Sequence, residues 1–326
     1  MTWLLTGGAG YIGSHIARAF VGADMPVVIL DDLSTGYREF VPEGVPFVEG
    51  SVTDPEAVDR ALGLGVTGVV HLAGWKYAGV SVERPLHFYR QNIVGMQVLL
   101  EAVAGRGIDR FLFSSSCAVY GTPAEPRVTE DFPTGPESPY GESKLVSEWM
   151  LRAVAEVTPA LRHTSLRYFN VVGSGDQALV DHSPYNLFPQ VFRAIAAGRR
   201  PTIWGDDYPT RDGTCIRDYI HVSDLADAHV RGAQRLDAGD PCAVAYNVGR
   251  GEGSTVREVL DAMLRVTGSD LEPDVGPRRA GDPTEIVADA TLIRRDWGWQ
   301  ARRDLDDMVS SAWDAWQHAG DAGGGR

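Results

Sequence analysis

The sequence predicts an α/β fold: a doubly wound parallel sheet followed by a smaller α/β unit. Three observations carry this. Apolar runs of strand length recur between helical stretches through the first half of the chain, and continuous apolar strands belong to a parallel sheet covered on both faces. A turn with Gly7, Gly10 and Gly13 in G-x-x-G-x-x-G spacing separates the first strand from the first helix. A carboxylate pair, Asp31-Asp32, closes the second strand, about 20 residues after that turn as in a dinucleotide-binding unit.

The elements follow in chain order. The apolar strand before Thr6 leads into the glycine turn, and an amphipathic helix runs from Ser14 to Phe20. Glycine is required where the backbone turns tightly and where a pyrophosphate must approach the amide groups. The helix start presents free N–H groups and a positive dipole end to those phosphates. A strand-turn-helix corner without a ligand is the plain alternative, but the motif has its required context on both sides. The strand at 27–30 ends in Asp31-Asp32, a carboxylate that accepts hydrogen bonds from the adenosine ribose. Its charge repels a 2′-phosphate, and no arginine follows until Arg38, so the expected cofactor is NAD rather than NADP.

Further strands are expected at 47–49, 69–72, 111–114 and 164–168, alternating with helices at 55–62, 85–104 and 139–156. Ligands on such sheets bind beyond the carboxyl ends of the strands, so Gly7, Asp31, Ala73 and Ser116 are expected to share one cleft. After Asn170 the rhythm breaks. Residues 173–186 read as a polar loop over the cleft, followed by a helix at 187–197 and a short strand at 201–204. A strand then a helix span 217–235, a strand lies at 243–248, and helices at 256–266 and 305–318. The expected organisation is a cofactor domain at 1–170 with return elements around 217–249. Residues 171–216 and 250–318 form the substrate domain, and the glycine-rich 319–326 is expected to be disordered.

Chemistry is written most plainly in Ser114-Ser115-Ser116 followed by Tyr140-Gly141-Glu142-Ser143-Lys144. Four residues apart on a helix, Tyr140 and Lys144 share one face. A phenol titrates near ~10 and is a poor base at neutral pH. An adjacent ammonium or cationic cofactor stabilises its phenolate. Tyr140 is thus a proton acceptor from a sugar or alcohol hydroxyl, with Ser116 sharing the proton. Y-x-x-x-K recurs by chance in long chains; the glycine turn gives it weight here.

The chain has 326 residues and a formal charge of −14, which argues against nucleic acid and anionic membranes as partners. A local arginine cluster still permits an anionic substrate. Cys117, Cys215 and Cys242 are the only cysteines, without paired or metal-like spacing. With no leader segment before the first strand, a reducing, cytoplasmic setting is expected. No apolar run approaches the roughly 20 residues of a membrane span.

The sequence resembles the extended short-chain dehydrogenase/reductase family, and within it most closely the UDP-galactose (UDP-glucose) 4-epimerases. Beyond the motifs above, the likeness is carried by Leu72-Ala73-Gly74-Trp75-Lys76, the segment from Phe113 to Gly121, and Leu166-Arg167-Tyr168-Phe169-Asn170. Gly205-Asp206-Asp207-Tyr208-Pro209-Thr210, Arg217-Asp218-Tyr219-Ile220-His221-Val222 and Arg278-Arg279-Ala280-Gly281-Asp282 extend it through the second half. The resemblance implies a Rossmann-type cofactor domain, with Tyr140 as catalytic base, Lys144 as its partner and Ser116 bonded to the sugar 4-hydroxyl. It implies NAD held by Gly7, Gly10, Tyr11, Ile12, Gly13, Asp31, Asp32, Ser51, Val52, Leu72, Ala73 and Lys76, with Tyr140, Lys144 and Tyr168 near the nicotinamide end. It implies a UDP-sugar gripped by Asn170, Asn186, Leu187, Thr202, Trp204, Arg217, Arg279 and Asp282. Two arginines suit a pyrophosphate clamp, and an aspartate suits ribose hydroxyls. The implied reaction is 4-epimerisation of UDP-galactose or UDP-glucose through a transient 4-keto sugar, with NAD regenerated and retained. No metal is implied, and a homodimer through helices 85–104 and 139–156 is.

Three positions depart from the family pattern. Ser51 stands where many relatives have an adenine-contacting aspartate, and Val80 replaces a glutamate. Ile286 occupies the position that separates hexose-only from N-acetyl-tolerant enzymes; isoleucine is intermediate in size, which favours UDP-glucose/galactose and leaves UDP-N-acetylhexosamine or a modified nucleotide sugar as the alternative. Nucleotide-sugar dehydratases and decarboxylases place an acid one or two residues after the serine, where this chain has Cys117 and Ala118. Non-catalytic NAD sensors commonly lose the tyrosine or lysine, and this chain keeps both. His71 and His221, and Trp297, Trp299, Trp313 and Trp316, read as packing residues, and Cys117 as a small hydrophobe.

Overall fold

The computed structural model describes residues 1–279 and 282–323. A seven-stranded parallel sheet is formed by Thr2–Thr6, Val27–Asp31, Phe47–Glu49, Val66–His71, Arg110–Ser116, Arg162–Tyr168 and Ala245–Val248. Counted within the sheet, the strands lie in the order 3-2-1-4-5-6-7. The chain therefore reverses its direction of travel between Thr2–Thr6 and Val66–His71, and a ligand crevice opens at such a switch point. Register brings Thr6 level with both Leu30 and His71, so Gly7, Asp31 and Leu72 emerge together from three neighbouring strands.

The sheet is apolar on both faces, as continuous apolar strands require. Trp3, Leu5, Val27 and Ile29 pack beneath helices Tyr11–Gly22 and Val222–Ala238, together with Trp297 and Trp299. Leu4, Val28, Leu30, Phe111 and Phe113 face Met96, Leu99 and Val103 on the other side. Helix Pro139–Val157 starts where expected: Ser138 Oγ accepts the Gly141 N–H, with Pro139 in the first turn, a favourable pairing of cap and preset φ.

The stretch expected as one helix at 85–104 is interrupted. Pro85–Tyr89 passes through a wide π turn, Arg90–Val94, before Gly95–Arg106 continues. The turn is where Asn92 is drawn inward. Its side chain accepts from the Trp75 N–H and donates to the Trp75 carbonyl and Ser143 Oγ, bonds that stabilise such a widened turn.

A second sheet holds Gly253–Thr255, Ile216–His221, Glu285–Ala288 and Arg127–Val128 in that order, with Asn170–Val172 paired to Ile216–His221. Thr202–Trp204 pairs with Asp274–Gly276. Of the expected return elements, helix Val222–Ala238 packs on the large sheet and Ala245–Val248 joins it, whereas Ile216–His221 stays in the second sheet. Several small strands, such as Arg127–Val128 and Glu285–Ala288, were not foreseen because so short a run carries no readable period. The disorder expected from residue 319 does not begin there: helix Leu305–Gly323 runs on, because Ala319 packs with Trp316 against Phe40, Leu179 and Val180. Residues 324–326 of that expectation lie outside the described residues. No described helix is long and apolar enough to cross a membrane.

Four buried histidines make stability pH-dependent. Burial lowers the pKa of His15, His221 and His229 to about 4 and of His71 to about 3. His71 bonds Thr6 Oγ1 at 2.7 Å and His229 bonds Ser114 Oγ at 2.8 Å. A base with a lowered folded pKa contributes stability above its unfolded value, near ~6.5, and loses it as pH falls towards the folded value. Burial also raises the pKa of Asp31 and Glu130, and of Asp218 to about 6. These act in the opposite direction, but burial lowers His163 and His182 as well, so six imidazoles stand against three carboxyls. Melting temperature should therefore fall steadily between pH 7 and pH 5; a flat or rising profile in thermal denaturation would refute this balance.

Candidate active site

The crevice at the switch point is lined by Gly7, Gly10, Tyr11, Ile12, Gly13, Asp31, Asp32, Ser51, Val52, Leu72, Ala73, Lys76, Tyr140, Lys144 and Tyr168. These are all the residues expected at the cofactor, gathered from six chain segments. The turn leaves no room for a side chain at Gly7 or Gly13: a Cβ would lie 2.8 Å from the Ala73 backbone nitrogen at the first and 2.1 Å from the Gly7 carbonyl oxygen at the second. Helix Tyr11–Gly22 begins at Gly10 with no side-chain cap and no acidic residue in its first turn. Its leading N–H groups are thus left for an anion. An uncapped helix start, a turn closed to side chains at Gly7 and Gly13 and a carboxylate on the next strand together fit a dinucleotide.

Two residues do more than expected. The Asp31 carboxylate accepts the N–H groups of Ala9 and Leu33, both at 2.9 Å, and so holds the glycine turn as well as lining the crevice. Burial raises its pKa against those two bonds. The Tyr11 hydroxyl donates to the Gly173 carbonyl, tying the first helix to the 173–186 loop. That loop covers the crevice as expected, through Val180 to Pro184. No sequence signal marks the aromatic pair in the crevice wall, where Tyr37 meets His182 with ring centres 4.8 Å apart. It joins two loops distant in the chain.

Tyr140 and Lys144 are both buried on helix Pro139–Val157. Lys144 Nζ donates to the Ser114 carbonyl at 2.8 Å. Burial lowers its pKa to about 8, against the pull of Glu148. Burial pushes the Tyr140 phenol up to about 12, partly offset by the Ser116 side chain. The helix approaches the Cys117–Tyr120 turn so closely that a Cβ on Gly141 would lie 2.6 Å from the Ala118 carbonyl. Glycine between Tyr140 and Glu142 is what allows the phenol to come near Ser116. Ser116 itself does not line the crevice, contrary to expectation. Its Oγ accepts the Ala118 N–H at 3.2 Å, a local bond that serines favour at the start of a turn. Its side chain also adjoins the Tyr140 phenol and opposes the rise in that pKa.

The residues expected at the nucleotide sugar lie outside the crevice wall, apart from Tyr140. They are spread over the second sheet, the Thr202–Trp204 strand and the start of helix Leu187–Ala196. Arg217 is level with Ile286 across paired strands and stands 3.6 Å from Asp282. The Arg279 guanidinium covers the Trp204 ring at 5.0 Å, and Thr202 starts the same short strand. Asn186 precedes Leu187 at the start of helix Leu187–Ala196 and donates to Asp181 at 2.7 Å. Asn170 is exposed at the start of its strand. Cys117, next to Ser116, has its thiol pKa pushed up by burial, with the Arg217 charge opposing. Ile286 is buried with Phe169, Val119 and Leu145. Ala280 and Gly281 of the expected Arg278–Asp282 motif lie outside the described residues.

Comparison with known proteins gives a consistent answer. Residues 3–249 match the NAD dependent epimerase/dehydratase family. The chain is 45% identical over 316 residues to the UDP-glucose 4-epimerase of Azospirillum brasilense, covering 95% of this chain and 90% of that one. Among solved structures it resembles the UDP-glucose 4-epimerase of Stenotrophomonas maltophila with bound NAD and formylated UDP-arabinopyranose. That match has a TM-score of 0.94 and 36% identity, and covers 99% of both chains. The Bifidobacterium longum UDP-glucose 4-epimerase in complex with NAD+ and UDP matches with a TM-score of 0.91 and 35% identity, over 99% of this chain and 100% of that one.

Proposed function

This chain belongs to the NAD dependent epimerase/dehydratase family, and we propose that Tyr140, Lys144 and Ser116 carry its reaction, the NAD-dependent 4-epimerisation of a UDP-hexose. The observation that supports these three is the placement of Tyr140 and Lys144 on the wall of the same crevice as the glycine turn and Asp31. Bound NAD supplies the acceptor, and then the donor, of the hydride at sugar carbon 4. Tyr140 takes the proton of the 4-hydroxyl and returns it to the opposite-face alcohol, so no net proton is consumed. The Lys144 ammonium stabilises the intervening phenolate, and Ser116 shares the proton. Because Tyr140 and Lys144 are buried, bulk water does not compete for it.

Gly7, Gly10, Tyr11, Ile12 and Gly13 would hold the pyrophosphate. Asp31, Asp32, Ser51 and Val52 would take the adenosine, and Leu72, Ala73, Lys76 and Tyr168 the nicotinamide half. Arg217 and Arg279 would clamp the UDP phosphates, Asp282 its ribose, and Asn170, Asn186, Leu187, Thr202 and Trp204 the remainder. In this reading residues 1–170, with the return around 217–249, serve the cofactor, while 171–216 and 250–318 serve the sugar nucleotide. Ile286, filling its cluster, favours UDP-galactose and UDP-glucose over N-acetylated sugars. The test is incubation of the purified protein with UDP-galactose, and separately UDP-N-acetylgalactosamine, without added NAD, followed by chromatography. The 4-epimer of UDP-galactose is expected to form, faster than that of its N-acetyl counterpart. No conversion even with NAD supplied would defeat the reading.

A second copy of this chain is the partner we propose. Leu86, Val94 and Trp149 are exposed apolar residues on the stretches 85–104 and 139–156, the pair expected at a dimer interface. Sedimentation velocity should find a dimer at micromolar concentration, and monomer alone would remove the proposal.

A further inference from the structure

Glu148 and Arg167 form a buried ion pair that the scheme above leaves without a role. Their side chains are 6% and 9% exposed. Arg167 grips the carboxylate with two nitrogens, Nη2 at 2.6 Å from Oε2 and Nε at 3.0 Å from Oε1. Oε1 also accepts the Ser115 hydroxyl at 2.5 Å. Arg167 Nη1 donates to the Tyr120 hydroxyl at 3.0 Å and the Glu130 carbonyl at 3.1 Å. Tyr120 in turn donates to Asn247 Oδ1 at 2.8 Å. The network is thoroughly bonded, yet a buried ion pair is often no more stabilising than well-packed apolar residues in its place.

Its location supplies a reason. Glu148 stands one helical turn beyond Lys144, on the same face. Ser115, which it holds, lies between Ser114, whose carbonyl receives Lys144 Nζ, and Ser116, the neighbour of Tyr140. Arg167 directly precedes Tyr168 on the adjacent strand. One carboxylate therefore pins the helix carrying Tyr140 and Lys144 to the strand ends that face it.

We propose that Glu148, clamped by Arg167, is the positioning residue of the Tyr140–Lys144 helix: it seats Lys144 on the Ser114 carbonyl and keeps its amine charged. This rests on the reading of Lys144 as the partner of Tyr140. The surroundings of Lys144 leave the task to Glu148. Its own helix presents Tyr140 and Glu148. Strand Val66–His71 presents His71, held neutral by burial. Strand Arg110–Ser116 presents the Phe113 ring and the Ser114 carbonyl, and strand Arg162–Tyr168 presents Arg167 and Tyr168. Among the described residues, Glu148 supplies the charge that opposes the desolvation of Lys144.

The chain makes this directly measurable, because Lys76 and Lys144 are its only lysines. Purified protein with its retained cofactor, labelled with 13Cε-lysine, gives two side-chain resonances, and K76R identifies the one from Lys144. In Glu148→Gln the Lys144 titration midpoint should fall by about 1 pH unit. Loss of the ammonium at lower pH should move the alkaline limb of kcat the same way, with KM little changed, and Glu148→Asp should restore part of both. Should Glu148→Gln fail to fold, the double variant Glu148→Met/Arg167→Met replaces the pair by apolar groups of similar size, and the midpoint should again fall. An unchanged Lys144 midpoint in either folded variant overturns the proposal. If the unaltered protein epimerises no sugar, the reaction assignment fails, while the titration still reports on Glu148 and Lys144.

Discussion

Tyr140→Phe lowers kcat roughly 100-fold or more while leaving the melting temperature and retained NAD near those of the parent chain. The substitution deletes one oxygen from a ring that is 9% exposed, so the packing of helix Pro139–Val157 against the Cys117–Tyr120 turn survives. What disappears is the only phenol on that helix able to take the sugar proton. With its pKa pushed up to about 12 by burial, Tyr140 is protonated in the resting crevice at neutral pH. The Lys144 ammonium must therefore lower the cost of forming the phenolate during the reaction. Steady-state assay with UDP-galactose reads the effect. A Phe variant of unchanged kcat would remove Tyr140 from the mechanism, and a large rise in KM alone would recast it as a binding group.

Gly13→Ala should abolish retention of NAD and cost about 3 kcal/mol of stability, the upper end for overpacking a filled site. The new methyl group would lie 2.1 Å from the Gly7 carbonyl oxygen and 2.8 Å from Gly8 Cα. Both are backbone atoms, so no rotamer change relieves the clash and the turn itself must open. Gly10→Ala makes a sharp contrast. Its Cβ would meet only the Gly7 oxygen, at 3.4 Å, so the fold should hold while the methyl group intrudes on the crevice. Cofactor released on denaturation, measured by absorbance, should be absent from both variants, but only Gly13→Ala should melt markedly earlier. Full NAD content in Gly13→Ala would show that the turn is not the phosphate site.

The Tyr140 and Gly13 predictions start from residues legible in the sequence, because their chemistry is local. A glycine turn between an apolar strand and a helix, or a tyrosine and lysine one helical turn apart, keeps its meaning in any surroundings that preserve the local fold. The strands at 27–30, 47–49, 69–72, 111–114 and 164–168, and their place in one parallel sheet, were legible for a similar reason: continuous apolar runs have one stable environment, a sheet covered on both faces.

Other features depend on atoms distant in the chain. The Ser116 hydroxyl takes up the Ala118 N–H only because a turn opens at that residue. The double duty of Asp31 requires the glycine turn to fold back over the second strand. Ala319 stays helical only because Phe40 and Val180 are beneath it. Short strands such as Arg127–Val128 exist only because a partner strand is already in place.

By itself, then, the sequence determined the sheet, the cofactor turn and the Tyr140–Lys144 pair, each specified by spacing within a few residues of chain. The tertiary structure alone decided which groups surround that pair, and with them how strongly Lys144 holds its proton. Desolvation and the field of Glu148 act through space, and separation along the chain carries no record of them.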